Sequence, residues 1–326
     1  VRRQSILEEP GPVSTEGGTK AVVAALLANS AIAVAKFVAW GVTGSSAMLA
    51  EGVHSVADAG NQGLLLMGGR RSKQEASELH PFGYGRRRYV YAFIVAIVLF
   101  TLGGVFALYE GWHKISHPEP LVSPQWALGV LIFAIIAETL SFRTAIIESN
   151  KVRGRTPWGR FIRQAKSPEL PVILLEDFGA LFGLILALVG VSMATITGDG
   201  RWDGLGSIAI GVLLVIIAVF LAIEMSSLLL GESASPEQVA AIETAIQGTP
   251  EVERLIHLRT MHLGPEEVLV AAKVAVADTS SAATVSQAID AAEAAIRAAV
   301  PLKCVIYLEP DIDRARAAQS APDASA

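Results

Sequence analysis

The sequence predicts a polytopic α-helical membrane protein with six transmembrane helices, followed by a small α+β domain. Three observations predict it. Hydrophobic residues make up 52% of the chain and charged residues 17%, and the mean hydropathy is +0.48. Six segments are each long enough to cross about 30 Å of hydrocarbon at ~1.5 Å per residue. After Gly231 the composition turns polar and acidic, with 14 acidic and 7 basic residues over 232–326.

Taken in order, residues 1–19 read as a polar, disordered arm without the basic head, apolar core and cleavage site of a signal peptide. The membrane segments lie near 20–40, 44–69, 88–112, 124–149, 169–195 and 204–230. Small residues at Gly179 and Gly183 in the fifth, and at Gly204, Gly206, Ser207, Ala209 and Gly211 in the sixth, suit close helix approach. Asp203 beside Trp202 reads as the capped, interfacial start of the sixth helix.

The loops set the orientation. The loop after the second segment carries Arg70, Arg71, Lys73, Arg86, Arg87 and Arg88, and the loop after the fourth carries Lys151, Arg153, Arg155, Arg160, Arg163 and Lys166. The opposite side has Lys114 and Arg201 as its main basic residues. By the positive-inside rule both termini face the cytoplasm. The high alanine content and the lack of a targeting pattern point to the cell inner (plasma) membrane as the expected location. Arg86 to Arg88 are expected to anchor the third helix at anionic headgroups.

In the C-terminal region a helix is expected over 236–247, opening at Ser235-Pro236. Strands follow at 252–262 and 267–277, separated by Gly264-Pro265, then a helix over 284–299 and a last strand from Cys304 to Leu308. From about 314 the chain is Ala, Ser, Asp and Arg, a composition that favours disorder. One cysteine, Cys304, excludes an intramolecular disulfide framework and a CxxC metal site. The acidic soluble domain argues against nucleic acid as a partner. No GxxxxGK[ST] phosphate loop is present, so ATP drive is not expected.

Chemistry concentrates in the second segment. His54 and Asp58 stand one helical turn apart in the run from Ser45 to Gly68, and Glu51 and Asn61 fall on the same face. Ionisable groups at membrane depth are costly unless paired, hydrated or bound to an ion. The stripe therefore points to a path for metal ions or protons. Glu138 lies in the middle of the fourth segment. Glu176 and Asp177 lie in the fifth, about 100° apart around the helix.

His54-x-x-x-Asp58, the loop His80-Pro81-Phe82-Gly83-Tyr84-Gly85-Arg86 and the junction Leu229-Leu230-Gly231-Glu232 resemble the cation diffusion facilitator family over nearly all of residues 20–311. Glu51 to Gln62 and Leu175-Glu176-Asp177 resemble its zinc transporter 9-like branch. The resemblance implies a homodimeric divalent-metal/proton antiporter rather than an enzyme, with no permanently bound cofactor. It implies a transport domain over 20–231 and a cytoplasmic ferredoxin-like dimerisation domain over 232–313, with a disordered tail over 314–326. The partners it implies are a second copy, the lipid bilayer, and the transported ions and protons.

The same resemblance implies a metal site between the second and fifth helices, with His54, Asp58 and Asp177 as ligands. The fourth position falls on Ile173, which has no donor atom. Glu138, Glu176 or water would replace it. Glu51 would hold His54 or accept a proton, and Asn61 would offer a neutral oxygen. A donor set of one imidazole and carboxylates suits Zn2+, with Mn2+, Fe2+ and Co2+ open. Protons compete with metal for such donors, which gives exchange its driving force and predicts export from the cytoplasm.

Glu78 and His80 resemble part of a second, loop metal site, but Tyr84 stands at its later histidine position, so the loop reads as a structural turn. In the C-terminal domain Ile256, Lys273 and Leu308 stand where metal-sensing relatives carry histidines. His257 and His262 alternate to opposite strand faces. A different reading of Ile173 is a non-transporting membrane scaffold or regulatory protein whose metal site has degraded.

Overall fold

The computed structural model describes residues 30–118 and 121–312, which form two compact units. The expected polar arm, the start of the first segment and the expected tail lie outside the described residues. The helices are α1 (Ser30–Thr43), α2 (Ser46–Ser72), α3 (Arg87–Ser116), α4 (Pro124–Arg153), α5 (Trp158–Gln164), α6 (Glu169–Thr197) and α7 (Arg201–Leu230).

Four of these are long and apolar enough to cross a membrane among the described residues: α3, α4, α6 and α7, each of 29 or 30 residues. This corrects the expectation of six transmembrane helices. α1 is described only from Ser30. α2 has the length, at 27 residues, but Glu51, His54, Asp58, Asn61, Gln62, Arg70 and Arg71 lower its apolar character below that of a spanning helix.

The first unit comprises residues up to Gly63, 97–144 and 175–218. Its close packing rests on glycine. A Cβ on Gly104 would lie 3.2 Å from the Val215 backbone nitrogen, and one on Gly211 would lie 2.8 Å from that of Leu108. One turn-pair further along, a Cβ on Gly111 would stand 2.6 Å from the Gly204 carbonyl oxygen, and one on Gly204 would stand 2.8 Å from that of Gly111. α3 and α7 therefore meet backbone to backbone, the arrangement small residues permit where no hydrophobic force acts between helices. Gly190 and Gly206 join α6 to α7 in the same way. Within α3 the residues Leu99–Val105 form a π-helical stretch. Such stretches mark local widening of the helix and recur at functional sites. Here it brings Gly103 against the His54 ring, 3.6 Å from Nδ1 to the position of a Cβ.

Among the described residues the second unit comprises 64–96, 145–174 and 219–312. Its C-terminal module runs α8 (Pro236–Gln247), β1 (Arg254–Gly264), β2 (Glu267–Ala275), α9 (Ala282–Ala299) and β3 (Lys303–Asp311). Ser235 caps α8 in a reciprocal capping box with Gln238, and Pro236 opens the helix. The sheet order is β1-β2-β3, antiparallel then parallel. Ile242, Ile246 and Ile296 from the helices bury against Val268, Val270 and Val274 of the sheet.

A ferredoxin-like module requires β-α-β-β-α-β order. The strand before α8 is missing among the described residues, and the three-stranded sheet does not complete that fold. The ferredoxin-like expectation is corrected accordingly.

The arginine-rich loop bonds within this unit rather than standing free for headgroups. Arg86 Nη2 lies 3.0 Å from Met261 Sδ, and Arg88 approaches Glu169 at 3.4 Å and Glu266 at 3.5 Å. Gly85 packs on the β1–β2 turn, where a Cβ would fall 2.7 Å from the Leu263 carbonyl oxygen. Lys166 pairs with Glu232, whose main-chain carbonyl accepts the His262 N–H at 2.8 Å. Burial pushes the Glu232 carboxyl up, but the Lys166 and Ser227 hydrogen bonds outweigh it and hold it below its ordinary value. Burial pushes His262 below its ordinary 6.5.

Two outcomes are expected. Gly211→Val places new carbon against the Leu108 backbone, and overpacking of this kind costs about 1–3 kcal/mol. Its apparent melting temperature in detergent should fall, whereas Gly129→Ala, with open space around it, should melt with the parent. An unshifted Gly211→Val would refute the close approach. Because His262 is held neutral when folded, the unfolded chain takes up its proton first, so this stability is full above 6.5 and drains as pH falls below it. Replacing His262 with Gln should flatten the decline in melting temperature between pH 7.5 and 5.5. An equally steep decline in the variant would contradict this.

Candidate metal site

The α2 stripe faces the interior of the first unit. Glu51, His54 and Asn61 are fully buried, and Asp58 keeps 17% of its side-chain surface. The i,i+4 spacing brings His54 Nε2 to 3.5 Å from Asp58 Oδ2. Along this helix Glu51 Oε1, both His54 ring nitrogens, Asp58 Oδ1, Asn61 Oδ1 and Gln62 Oε1 are buried without a hydrogen-bond partner. Native interiors rarely tolerate unpartnered polar atoms, each costing about 1–3 kcal/mol. A run of them on one helix marks a place built for something that completes their bonding.

The acids expected from other helices are divided among different partners. Asn61 Nδ2 donates to Glu176 Oε1 at 2.7 Å. Ser141 Oγ, one turn beyond Glu138 on α4, donates to Asp177 Oδ2 at 3.0 Å. The separation of Glu176 and Asp177 around α6 thus has a consequence: Glu176 touches α2, while Asp177 turns to α4. Glu138 is partly buried and lies within electrostatic reach of Asp58 and Asp177. Among the described residues no three His, Cys, Asp or Glu side chains stand together closely enough to hold an ion. The donors are neighbours that have not converged.

Sequence reasoning missed Lys36. Its ammonium, 2% exposed, donates to Glu51 Oε2 at 3.0 Å and to Ser55 Oγ at 2.7 Å. Its signal was there to find, since Lys36 is the one charged residue in an otherwise apolar stretch from Ala21 to Thr43. Ser55 and Ser141 gave no such signal, because hydroxyls in apolar helices commonly bond their own backbone.

Residues 22–230 match the cation efflux transmembrane domain, and residues 234–311 match the cytoplasmic domain of cation efflux proteins. The chain belongs to the cation efflux family. It is 33% identical over 80% of its length to mouse "Proton-coupled zinc antiporter SLC30A9, mitochondrial", covering 47% of that protein. The human counterpart is 32% identical over 79% of the chain and 46% of its own length. The "Cation-efflux pump FieF" of Klebsiella pneumoniae is 26% identical over 76% of the chain and 77% of its own length. The chain thus spans about half the length of its mouse and human relatives.

The mitochondrial names of the mouse and human relatives correct the expected plasma-membrane location. The physical reason is simple. Alanine content and loop charge describe a membrane chain and its orientation and do not say which bilayer holds it.

Outside the α2 stripe, the remaining metal candidates of this cation efflux protein are unassembled. Glu78 and His80 are exposed, and the His80 ring packs edge-on against Tyr84 at 4.6 Å between centroids. Backbone bonds between Ser77 and His80, and from Gly83 to His80, close the loop as a turn. His257 is exposed, whereas His262 is buried with Nδ1 at 3.2 Å from the Gly264 carbonyl oxygen.

Asp203 does more than open its own helix. Its fully buried carboxylate accepts from Ser45 Oγ and Ser46 N, both at 2.7 Å, from Ser46 Oγ at 3.1 Å and from Ala47 N at 3.4 Å. It therefore caps α2 from α7 and fixes the helix that carries the stripe. Asp203→Ala would orphan these donors, and a loss of about 1–3 kcal/mol is expected. The thermal stability of the purified protein should fall well below that of Asp203→Asn, which retains an acceptor oxygen. Equal melting of the two variants would argue against the cap.

Proposed function

We propose that this chain moves divalent metal cations, Zn2+ foremost, across a bilayer in exchange for protons, as a homodimer joined through the C-terminal domain. The observation that carries the reading is the set of buried, unpartnered donor atoms on α2, centred on His54 and Asp58. His54, Asp58, Asp177, Glu176 and Glu138 supply donors to the ion, with Asn61 and Glu51 beside the path. The names of the mouse and human relatives support zinc and proton coupling.

The chemistry follows from competition. An imidazole nitrogen and a carboxylate oxygen bind a metal only when deprotonated, so each proton that arrives weakens the hold on the ion. Binding draws Glu176 from Asn61 and Asp177 from Ser141, and protonation returns them to such partners. Alternating exposure of one site then exchanges metal for protons. Export runs from the side bearing the C-terminal domain. The scaffold reading draws support from Ile173 and from the unconverged donors.

Reconstituted liposomes separate the two. With a pH gradient imposed, Zn2+ uptake is expected to exceed that of Mn2+, Fe2+ and Co2+. It should fall at least tenfold in Asp58→Ala and His54→Ala, and Glu138→Gln and Glu176→Gln should each slow it. Dimers that bind and carry none of the four ions would establish the scaffold reading instead.

A further inference from the structure

Lys36 is a buried cation that the transport chemistry leaves unused. Three features set it apart from a surface lysine that happens to point inward. Its side chain is buried, 2% exposed. It bonds two residues of α2 that flank His54, Glu51 three positions before and Ser55 one after. It also acts electrostatically on His54, Asp58 and Glu138 across the first unit.

The position of Glu51 is equally constrained. Its Oε1 occupies the space beside Gly183, 2.6 Å from where a Cβ would stand, so the missing side chain on α6 makes room for the pair. α1, α2 and α6 thus combine to seat one ammonium and one carboxylate next to the His54–Asp58 donors.

We infer that Lys36 is a fixed counter-cation that limits how tightly the α2 stripe holds a divalent ion. The inference rests on the transport reading above. Asp58, Glu138, Glu176 and Asp177, once drawn onto one ion without a nearby positive charge, would bind a divalent cation strongly and release it slowly. The tethered ammonium repels the incoming ion from within the protein, where screening is weak. It also engages Glu51, which keeps that carboxylate from joining the ligands. Turnover in a carrier requires binding loose enough to reverse, and Lys36 supplies the opposing charge at a fixed distance.

A double-substitution cycle tests this, because electrostatic tuning and mere structural support predict opposite patterns. The full chain is purified in detergent, and Zn2+ affinity is measured at fixed pH by competition with a fluorescent chelator. Lys36→Met should tighten Zn2+ binding about tenfold or more and slow liposome flux, since the repulsion is gone. Glu51→Gln leaves the ammonium unbalanced and should weaken binding by a similar factor. The combined variant should fall between the two.

Singles that shift affinity in the same direction, or not at all, would overturn the inference while leaving the transport reading intact. If Lys36→Met does not fold, Glu51→Gln and the combined variant still decide. Affinity that is unchanged or tighter in Glu51→Gln overturns the inference. A parent protein that binds no ion would instead remove the transport reading itself.

Discussion

Charge held away from water is the constraint on which the first unit depends. A carboxylate or ammonium in an apolar interior costs several kcal/mol even after relaxation, unless opposite charge and hydrogen bonds offset it. This unit places Lys36, Glu51, His54, Asp58, Glu176 and Asp177 among apolar helices. Each is compensated locally by a different neighbour: Glu51 by Lys36, Glu176 by Asn61 and Asp177 by Ser141. His54 and Asp58 have chiefly each other, at 3.5 Å. The least compensated pair is therefore the one with most to gain from a cation.

Such compensation works only if the helices hold their relative positions to within a fraction of an ångström. Glycine pairs on α3 and α7 supply this, because backbones in contact leave no room to slide. Asp203 adds a polar lock by gripping the first turn of α2 from α7. The helix that carries the stripe is thus held at its first turn by hydrogen bonds to α7. Glu176 and Asp177 of α6 are held instead by single hydrogen bonds from neutral groups, Asn61 and Ser141.

What the sequence made legible was local. The stripe from Glu51 to Asn61 follows from helical period alone, and the opening of α8 follows from the adjacent Ser235 and Pro236. Interactions between distant parts of the chain were not legible. Asp203 was expected to serve its own helix, yet its partners at Ser45 and Ser46 lie 158 and 157 residues away. Arg86 to Arg88 were expected at headgroups, because a basic run next to a membrane segment has that meaning in isolation. Met261, Glu169 and Glu266 claim two of them instead. The six-span and ferredoxin-like expectations came partly from resemblance. They gave way because α2 is too polar to count as a simple span and because the sheet has three strands.

The unconverged state of the donors has an energetic meaning of its own. A site already assembled without an ion would force several carboxylates together, and their repulsion would raise the energy of the empty protein. Here Glu51 rests on an ammonium, Glu176 on a neutral amide and Asp177 on a hydroxyl, so these three acids are kept apart. Neutral hydrogen bonds contribute only about 0.5–1.5 kcal/mol net, and those to charged groups about 1.5–3. The cost of exchanging Asn61 and Ser141 for an ion is therefore small against a metal–ligand bond. Under the proposed transport reading, weak resting bonds and a tethered ammonium act in one direction, toward an ion that binds and leaves.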